Sequence, residues 1–225
     1  ALQAARARQL QCRNERRDEW LKLGYQEVPE SANAVLLTQA EFQLDHGQNE
    51  QALATLRRLD ENSRDHGHAL ALMGRLYYKL EDWDALRDIL PRVRKHSQLK
   101  PETLADWTIR IHREQLDSAA DIEALSVAWK EIPRAHKKDI ALVEAYFLGL
   151  IRVGEHPRAQ KELESALKSD WRGPLVRIYG LVEGPDASKQ LKRAETWLSS
   201  HEDDPDLLLT AARLCLRNEL WGKAR

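Results

Sequence analysis

Histidine is the residue type in this chain best suited to hold a metal ion. The eight histidines are scattered along the sequence, and the only close pair lies in the segment DHGH, residues 65–68. A zinc site there would need two more ligands in a tetrahedral arrangement, and no cysteine lies nearby to supply a thiolate. We therefore interpret the pair as solvated loop or groove residues, and we expect neither a metal nor a cofactor.

The two cysteines, Cys12 and Cys215, lie near opposite ends of the chain. They form no CxxC pair, no zinc-ligand spacing and no haem-attachment CxxCH motif. We interpret both as incidental thiols in a reducing compartment. A disulfide between them would require the chain to close on itself.

Acidic pairs are the remaining candidates for acid–base chemistry, and Glu81-Asp82 and Asp203-Asp204 are examples. Both precede predicted helices, where a carboxylate caps the free amides and complements the helix dipole. The sequence contains no P-loop, no GxSxG, no HExxH and no kinase motif set. We predict that the protein is not an enzyme.

The amino-acid composition argues against nucleic acid as a partner and favours a helical fold. Charged residues make up 32% of the chain, and 35 Lys and Arg residues stand against 36 Asp and Glu residues, for a net charge of -1. A nucleic-acid binder usually carries a basic face or a high isoelectric point, so none is expected as a partner. Ala, Leu, Glu, Arg and Lys dominate, which favours helices. No apolar run reaches the ~18–20 residues that span a bilayer.

The predicted helices that would position the candidate residues recur every 34 residues. The small residues Ala40 and Gly74 are one period apart, and so are the apolar residues Leu36 and Leu70. Each small residue lies in a predicted helix that is followed by a short polar break and a second helix.

Gly47 and Gly154 are expected at the turns within such pairs, where a positive φ is easily adopted. A helix–turn–helix unit of 34 residues is typical of tetratricopeptide repeats. In that pattern unit positions 4, 7, 8, 11, 17, 20, 24 and 27 are packing positions, and in the last unit they include Leu208, Ala211, Ala212 and Cys215.

The predicted fold is all-α: a tetratricopeptide-type α-solenoid, in which antiparallel helix pairs stack into a right-handed superhelix. We assign residues 1–225 to one repeat domain and expect about ten to twelve helices. The better-matching units cover residues 33–66, 67–100, 140–173 and 205–225. Divergent helical pairs cover residues 1–32, 101–139 and 174–204. Tryptophans such as Trp83 and Trp171 are interpreted as inter-repeat packing rather than ligand stacking.

The first helices of the units are expected to line a concave groove. Unit positions 2, 5, 9, 12 and 13 face it, and they carry a cationic set with one tyrosine that suits an extended acidic peptide. The same residues equally suit ordinary solvated helix faces. The candidate groove residues are His68, Arg75, Tyr78, Lys79, Arg152, Arg213 and Arg217. Helical segments 34–46, 67–80 and 140–153 lack asparagine, which disfavours an asparagine clamp for a C-terminal carboxylate.

Three segments resemble the HemY family of proteobacterial proteins associated with protoheme biogenesis. EDWDALRDILP (81–91) is similar to the family stretch G-x-W-x-x-L-x-x-(I/L)-(I/L)-P. Residues 125–156 resemble its Trp-containing helix, basic loop and next repeat. NELWGKAR (218–225) resembles a late repeat, with Asn218-Glu219 where the family has a glycine and an acid.

This resemblance implies a scaffold for protein–protein interaction at the cytoplasmic face of the bacterial inner membrane, with heme-synthesis enzymes as partners. It also implies two membrane helices upstream of Ala1. We interpret the chain, which starts at Ala1 without a methionine, as a piece of a longer protein. The alternative function is a carrier that binds heme or porphyrin directly. Cys12 is followed by Arg13, so the Cys-Pro dipeptide of heme-regulatory motifs is missing. No GxGxxG supports the flavin-dependent oxidase that shares the name.

Overall fold

The computed structural model describes residues 32–220 and residue 222. Every regular element in this part of the chain is an α-helix, which confirms the all-α class. The predictions for Cys12, for residues 1–31 of the first helical pair and for residues 223–225 of the last unit lie outside the described residues.

Eleven helices occupy the described part of the chain. Their bounds are α1 (Ala32–Asp45), α2 (Asn49–Asn62), α3 (Gly67–Lys79), α4 (Trp83–His96), α5 (Pro101–Ser118), α6 (Ile122–Glu131), α7 (Ile140–Arg152), α8 (His156–Ser169), α9 (Gly173–Tyr179), α10 (Ala187–Leu198) and α11 (Pro205–Arg217).

The chain divides into two compact units, and the division falls between Thr108 and Ile109, inside α5. In the first unit, α1 packs against α2, α2 against α3, and α3 against α4. In the second unit, α6 packs against α7, α7 against α8, α8 against α9, and α10 against α11. Contacts of α7 with α9 and of α9 with α11 add a second set in this unit. Both units are therefore assembled largely from helices that are neighbours in the chain, and the second unit adds contacts between helices two apart.

Aspartates begin several of these helices. Asp82 precedes α4, and its Oδ1 accepts a hydrogen bond of 3.1 Å from the Ala85 amide. Asp204 precedes α11, and its Oδ1 accepts from the amides of Asp206 at 2.8 Å and Leu207 at 3.2 Å. These bonds satisfy amides that have no partner within the helix, as predicted for the two acidic pairs.

Two glycines make the turns inside helix pairs. Gly47 lies between α1 and α2 with φ 72°, and Gly154 lies between α7 and α8 with φ 82°. Both values fall in the left-handed region that glycine enters without strain, which confirms the predicted turns. Asp65 and Glu81 adopt φ values of 66° and 56° at other turns, where the sequence offered no glycine as a signal.

The buried positions of the first unit repeat largely as the 34-residue period predicts. Most residues at the predicted packing positions form the interior of α1–α4, where each fully buried leucine contributes about 1.5–3 kcal/mol relative to an exposed one. They are Leu36, Ala40, Ala52, Leu56, Leu59, Leu70, Met73, Tyr77, Leu86, Leu90 and Val93. Gln39, Gln43, Asn49 and Trp83 were also expected at packing positions, but they are only partly buried.

The last helix follows the predicted register only in part. Ala211 and Cys215 are buried as expected, but Leu208 is 49% exposed, whereas the adjacent Leu207 is completely buried. The packing of α11 against α9 and α10 also buries Leu207, Thr210 and Leu214, which were not expected at packing positions. The Thr210 hydroxyl donates to the Val176 carbonyl of α9 at 2.8 Å. The buried apolar residues of α11 are Leu207, Ala211, Leu214 and Cys215.

An arginine–aspartate network joins α4 to the end of α2 in the first unit. Arg92 donates to both carboxylate oxygens of Asp60, at 2.9 and 2.6 Å, and to Asp65 at 2.7 Å. The hydrogen bonds that Arg92 donates to Asp60 and Asp65 raise the pKa of Arg92, and the bonds to Asp60 have the larger effect. The hydrogen bond from Arg92 lowers the pKa of the Asp65 carboxyl. The network thus holds the left-handed turn at Asp65 against α4.

Candidate functional site

Two of the predicted groove residues line one cavity in the first unit. His68 and Arg75 lie on α3, and with Ala71 they occupy one face of that helix at spacings of three and four residues. The cavity has a volume of about 430 Å³. Its remaining walls come from the start of α3, the end of α4 and the segment after it: Gly67, His96, Gln98 and Leu99.

The start of α3 creates the close approach that forms this cavity. His66 caps the helix through its Nδ1, which accepts a hydrogen bond from the Ala69 amide at 3.3 Å. At Gly67 a Cβ would lie 2.1 Å from the His96 carbonyl oxygen, so only glycine fits here. The end of α4 therefore approaches the first turn of α3, which places His96 beside the cavity.

The charges around the cavity favour an anionic ligand. The Nε2 of His68 lies 3.1 Å from Oε1 of Glu41 on α1, and both side chains are partly exposed. His96 lies 3.8 Å from the Asp65 carboxylate, which is already bonded to Arg92. Arg75 is exposed, and within residues 32–220 no side chain forms a hydrogen bond or ion pair with its guanidinium. Arg75 is thus the cation of the cavity that is available to a ligand.

Tyr78 lies in an aromatic cluster and not in the wall of the cavity. Its ring meets Trp83 edge-on with centroids 5.6 Å apart, and it stacks at 25° to Trp107 with centroids 6.1 Å apart. Lys79 is exposed at the last residue of α3, where a positive charge complements the helix dipole. Of the four candidates on α3, the structure therefore brings His68 and Arg75 together and places the other two beyond them.

Arg152 and Arg217 bond to main-chain carbonyls in the second unit. Nη2 of Arg152, at the end of α7, donates to the carbonyl of Leu116 at 2.8 Å and to that of Ala119 at 3.1 Å. Leu116 lies in the last turn of α5, where the last four carbonyls have no partner within the helix, and Ala119 directly follows the helix.

The second arginine repeats this arrangement about two helix pairs later. Arg217 ends α11, and its guanidinium donates to the carbonyls of Val182 and Gly180, which follow α9. Each arginine thus bonds to a segment that lies about one 34-residue period earlier in the chain. Arg213, the third candidate of this unit, lies half-buried on α11.

Sequence reasoning missed His96, Gln98 and Leu99, which complete the cavity around His68 and Arg75. Their predicted position at the end of a second helix gave no sign of this, because the groove was expected to involve first helices. A usable signal was Gly67, since a glycine at the first position of a helix indicates that another backbone approaches closely.

Within residues 32–220 no helix combines the length and the apolar character needed to cross a membrane. In the same part of the chain, no three His, Cys, Asp or Glu side chains converge to hold a metal ion. Compared with known proteins, the chain matches no family model, no curated protein and no solved structure.

Proposed function

We propose that this chain is a non-catalytic scaffold for protein–protein interaction, built as a tetratricopeptide-type α-solenoid. Its place would be the cytoplasmic domain of an inner-membrane protein associated with heme biosynthesis. The fold part of the proposal is supported by helices that pack in chain order and by buried positions that recur every 34 residues. The heme part is supported by the resemblance of residues 81–91, 125–156 and 218–225 to the HemY family.

One observation carries the binding function: His68 and Arg75 share a cavity of about 430 Å³ in which Arg75 is available to a ligand. An acidic side chain of a bound peptide would pair with Arg75, and Ala71 and Leu99 would contact an aliphatic neighbour. The combination of a cation, two imidazoles and apolar side chains suits recognition of a short peptide segment.

Exposed leucines on two helices of the second unit support an extended binding surface. Leu148 on α7 and Leu209 and Leu216 on α11 are all more than two-fifths exposed. They occupy the unit positions predicted to face a partner. Leu209 and Leu216 are seven residues apart and so share one face of α11, which a partner would cover.

Peptide binding to the intact chain tests the cavity. We expect a fluorescein-labelled peptide of alternating glutamate and leucine to bind saturably, and Arg75→Glu to weaken it by about tenfold or more, since a favourable ion pair becomes a repulsive one. Lys130→Glu makes the same charge change at an exposed residue of α6 outside the cavity, and it should leave the affinity within about twofold. Equal losses in the two variants would refute the cavity as the binding site.

Binding to purified late heme-synthesis enzymes tests the proposed partners. The wild-type chain should retain at least one of them, and Arg75→Glu with Lys79→Glu should release it. Retention of none would remove heme synthesis from the proposal while leaving the peptide result intact. A titration with heme tests the carrier alternative, which requires a saturable Soret shift.

A further inference from the structure

A second cavity lies in the second unit, on helices that are not expected to face the groove. It has a volume of about 660 Å³ and lies between α8, α10 and the segments that follow them. We call it the aromatic cleft. None of the seven predicted groove residues lines it, and the residues used below are Lys161, Glu164, Lys168, Trp171, Arg193 and Trp197.

One wall of the aromatic cleft is a set of rings that hold one another in place. Trp171 stacks on His201 at 13° with centroids 3.9 Å apart, and it meets Trp197 edge-on at 5.6 Å. Trp197 in turn meets the buried Tyr179 at 4.8 Å. Aromatic pairs in these geometries are favourable, so the wall keeps its shape without a ligand.

A carboxylate fixes the orientation of this wall. Nε1 of Trp171 donates to Oδ2 of Asp204 at 2.7 Å, while the other oxygen of Asp204 caps α11. Burial acts to raise the pKa of Asp204, but the hydrogen bonds from Trp171, Leu207 and Asp206 outweigh it and lower the pKa. Asp204 is therefore charged at neutral pH, and it holds the indole firmly.

The remaining charged residues that line the cleft carry an excess of positive charge. Its one acid, Glu164, is committed, since it accepts hydrogen bonds from Tyr179 at 2.9 Å and Gln160 at 3.1 Å. Arg193 lies 3.6 Å from the same carboxylate. Lys161 and Lys168 are exposed on α8, and within residues 32–220 neither has a hydrogen bond or ion pair. The cleft therefore offers two uncommitted ammonium groups to a ligand.

The spacing of the two lysines indicates how the acidic side chains of a bound peptide would be spaced. Seven residues along a helix return a side chain to the same face and advance it by about 10.5 Å. A peptide in the polyproline II conformation returns to the same side every three residues and advances by about 9.3 Å. Two acidic side chains three residues apart thus match Lys161 and Lys168, and the side chains between them point toward other surfaces.

We propose that the aromatic cleft is a docking site for an acidic peptide segment of a partner protein, with two carboxylates three residues apart and an apolar side chain between them. The carboxylates pair with Lys161 and Lys168, and the apolar side chain packs against Trp197 and Trp171. The site uses the second helices of two pairs, so it does not rest on the proposed groove around His68 and Arg75.

The test measures the fluorescence anisotropy of a labelled heptapeptide with glutamates at its third and sixth positions and leucine and phenylalanine between them. The wild-type chain should bind it saturably. The double variant Lys161→Glu/Lys168→Glu should bind it at least about tenfold more weakly, because two favourable pairs become repulsive. A peptide with glutamines in place of the glutamates should lose a similar factor.

The matched control is Lys130→Glu/Lys192→Glu, which makes the same charge change at two exposed lysines outside the cleft. It should stay within about twofold of the wild type. Absence of saturable binding, equal affinity for the glutamine peptide, or an equal loss in the control would each overturn the proposal. So would loss of binding in Arg75→Glu, because the peptide would then occupy the cavity of the first unit. The four lysines are on the surface, and circular dichroism checks that each variant folds.

Discussion

Gly74 on α3 lies directly against the indole of Trp107 on α5, within the first unit. A Cβ built at Gly74 would come within 2.4 Å and 2.7 Å of two carbon atoms of the Trp107 six-membered ring. Trp107 is only 3% exposed, so the ring has no free space into which to move. The repeat pattern predicted a small residue at this position, and the structure shows which side chain requires it.

Gly74→Ala should therefore destabilise the protein, although alanine in a helix is normally better than glycine by about 0.5–1 kcal/mol. Overpacking in a filled core costs about 1–3 kcal/mol, so we expect the free energy of unfolding to fall by about 1–2 kcal/mol. Urea unfolding measures this. Gly74→Ala combined with Trp107→Leu should show a favourable coupling between the two changes, because the smaller side chain leaves room for the methyl group. Simple additivity of the two effects would contradict the contact.

Arg92→Met should also lower the free energy of unfolding, by about 2 kcal/mol, because it leaves the largely buried carboxylate of Asp60 without its two-pronged partner. Arg87→Met is the matched control on the same helix. Its ion pair with Asp84 is much more exposed, and we expect a loss of less than about 0.5 kcal/mol. Equal urea midpoints for the two variants would show that the Arg92 network stabilises the fold no more than an exposed ion pair does.

Arg152→Met should act on stability rather than on peptide binding. It removes the donor to the Leu116 and Ala119 carbonyls, and the expected loss is about 1–2 kcal/mol in the free energy of unfolding. Anisotropy with the glutamate–leucine peptide should give an unchanged affinity after correction for any unfolded fraction. A folded variant with markedly weaker binding would instead assign Arg152 to the binding surface.

His112 should make the stability of the protein depend on pH. Burial lowers the pKa of His112 below the ordinary value of about 6.5, despite its hydrogen bond to Gln115. As the pH falls through about 6.5, the unfolded chain binds a proton that the folded chain does not, so the free energy of unfolding decreases. The decrease ends once the pH is below the folded-state pKa. Urea unfolding at several pH values between 7.5 and 5 should show a smaller decrease for His112→Gln, and equal curves would contradict this assignment.

Local features of the fold followed from the sequence because they depend on residues close together in the chain. Gly47 and Gly154 predicted left-handed turns, and Asp82 and Asp204 predicted helix caps. The period of 34 predicted many of the buried residues of α1–α4. It failed for Leu208 because the orientation of α11 is set by its packing against α9 and α10, and no local signal encodes that.

The candidate sites were less predictable, because each depends on which side chains meet across helices. Arg75 and Arg152 were both predicted to face the groove, yet Arg75 is available to a ligand and Arg152 bonds to carbonyls more than thirty residues earlier. Trp171 and Trp197 were expected only to pack. They do contact each other, and the same contact forms the wall of the aromatic cleft.

Asp204 belongs to two structures at once, since one oxygen caps α11 and the other holds the indole of Trp171. We therefore expect the first turn of α11 and the wall of the aromatic cleft to be coupled in their opening, because one carboxylate is bonded to both. Hydrogen exchange at the amides of Asp206 and Leu207 consequently reports on the order of the tryptophan wall. A peptide seated against that wall would slow exchange at a helix terminus that it never touches.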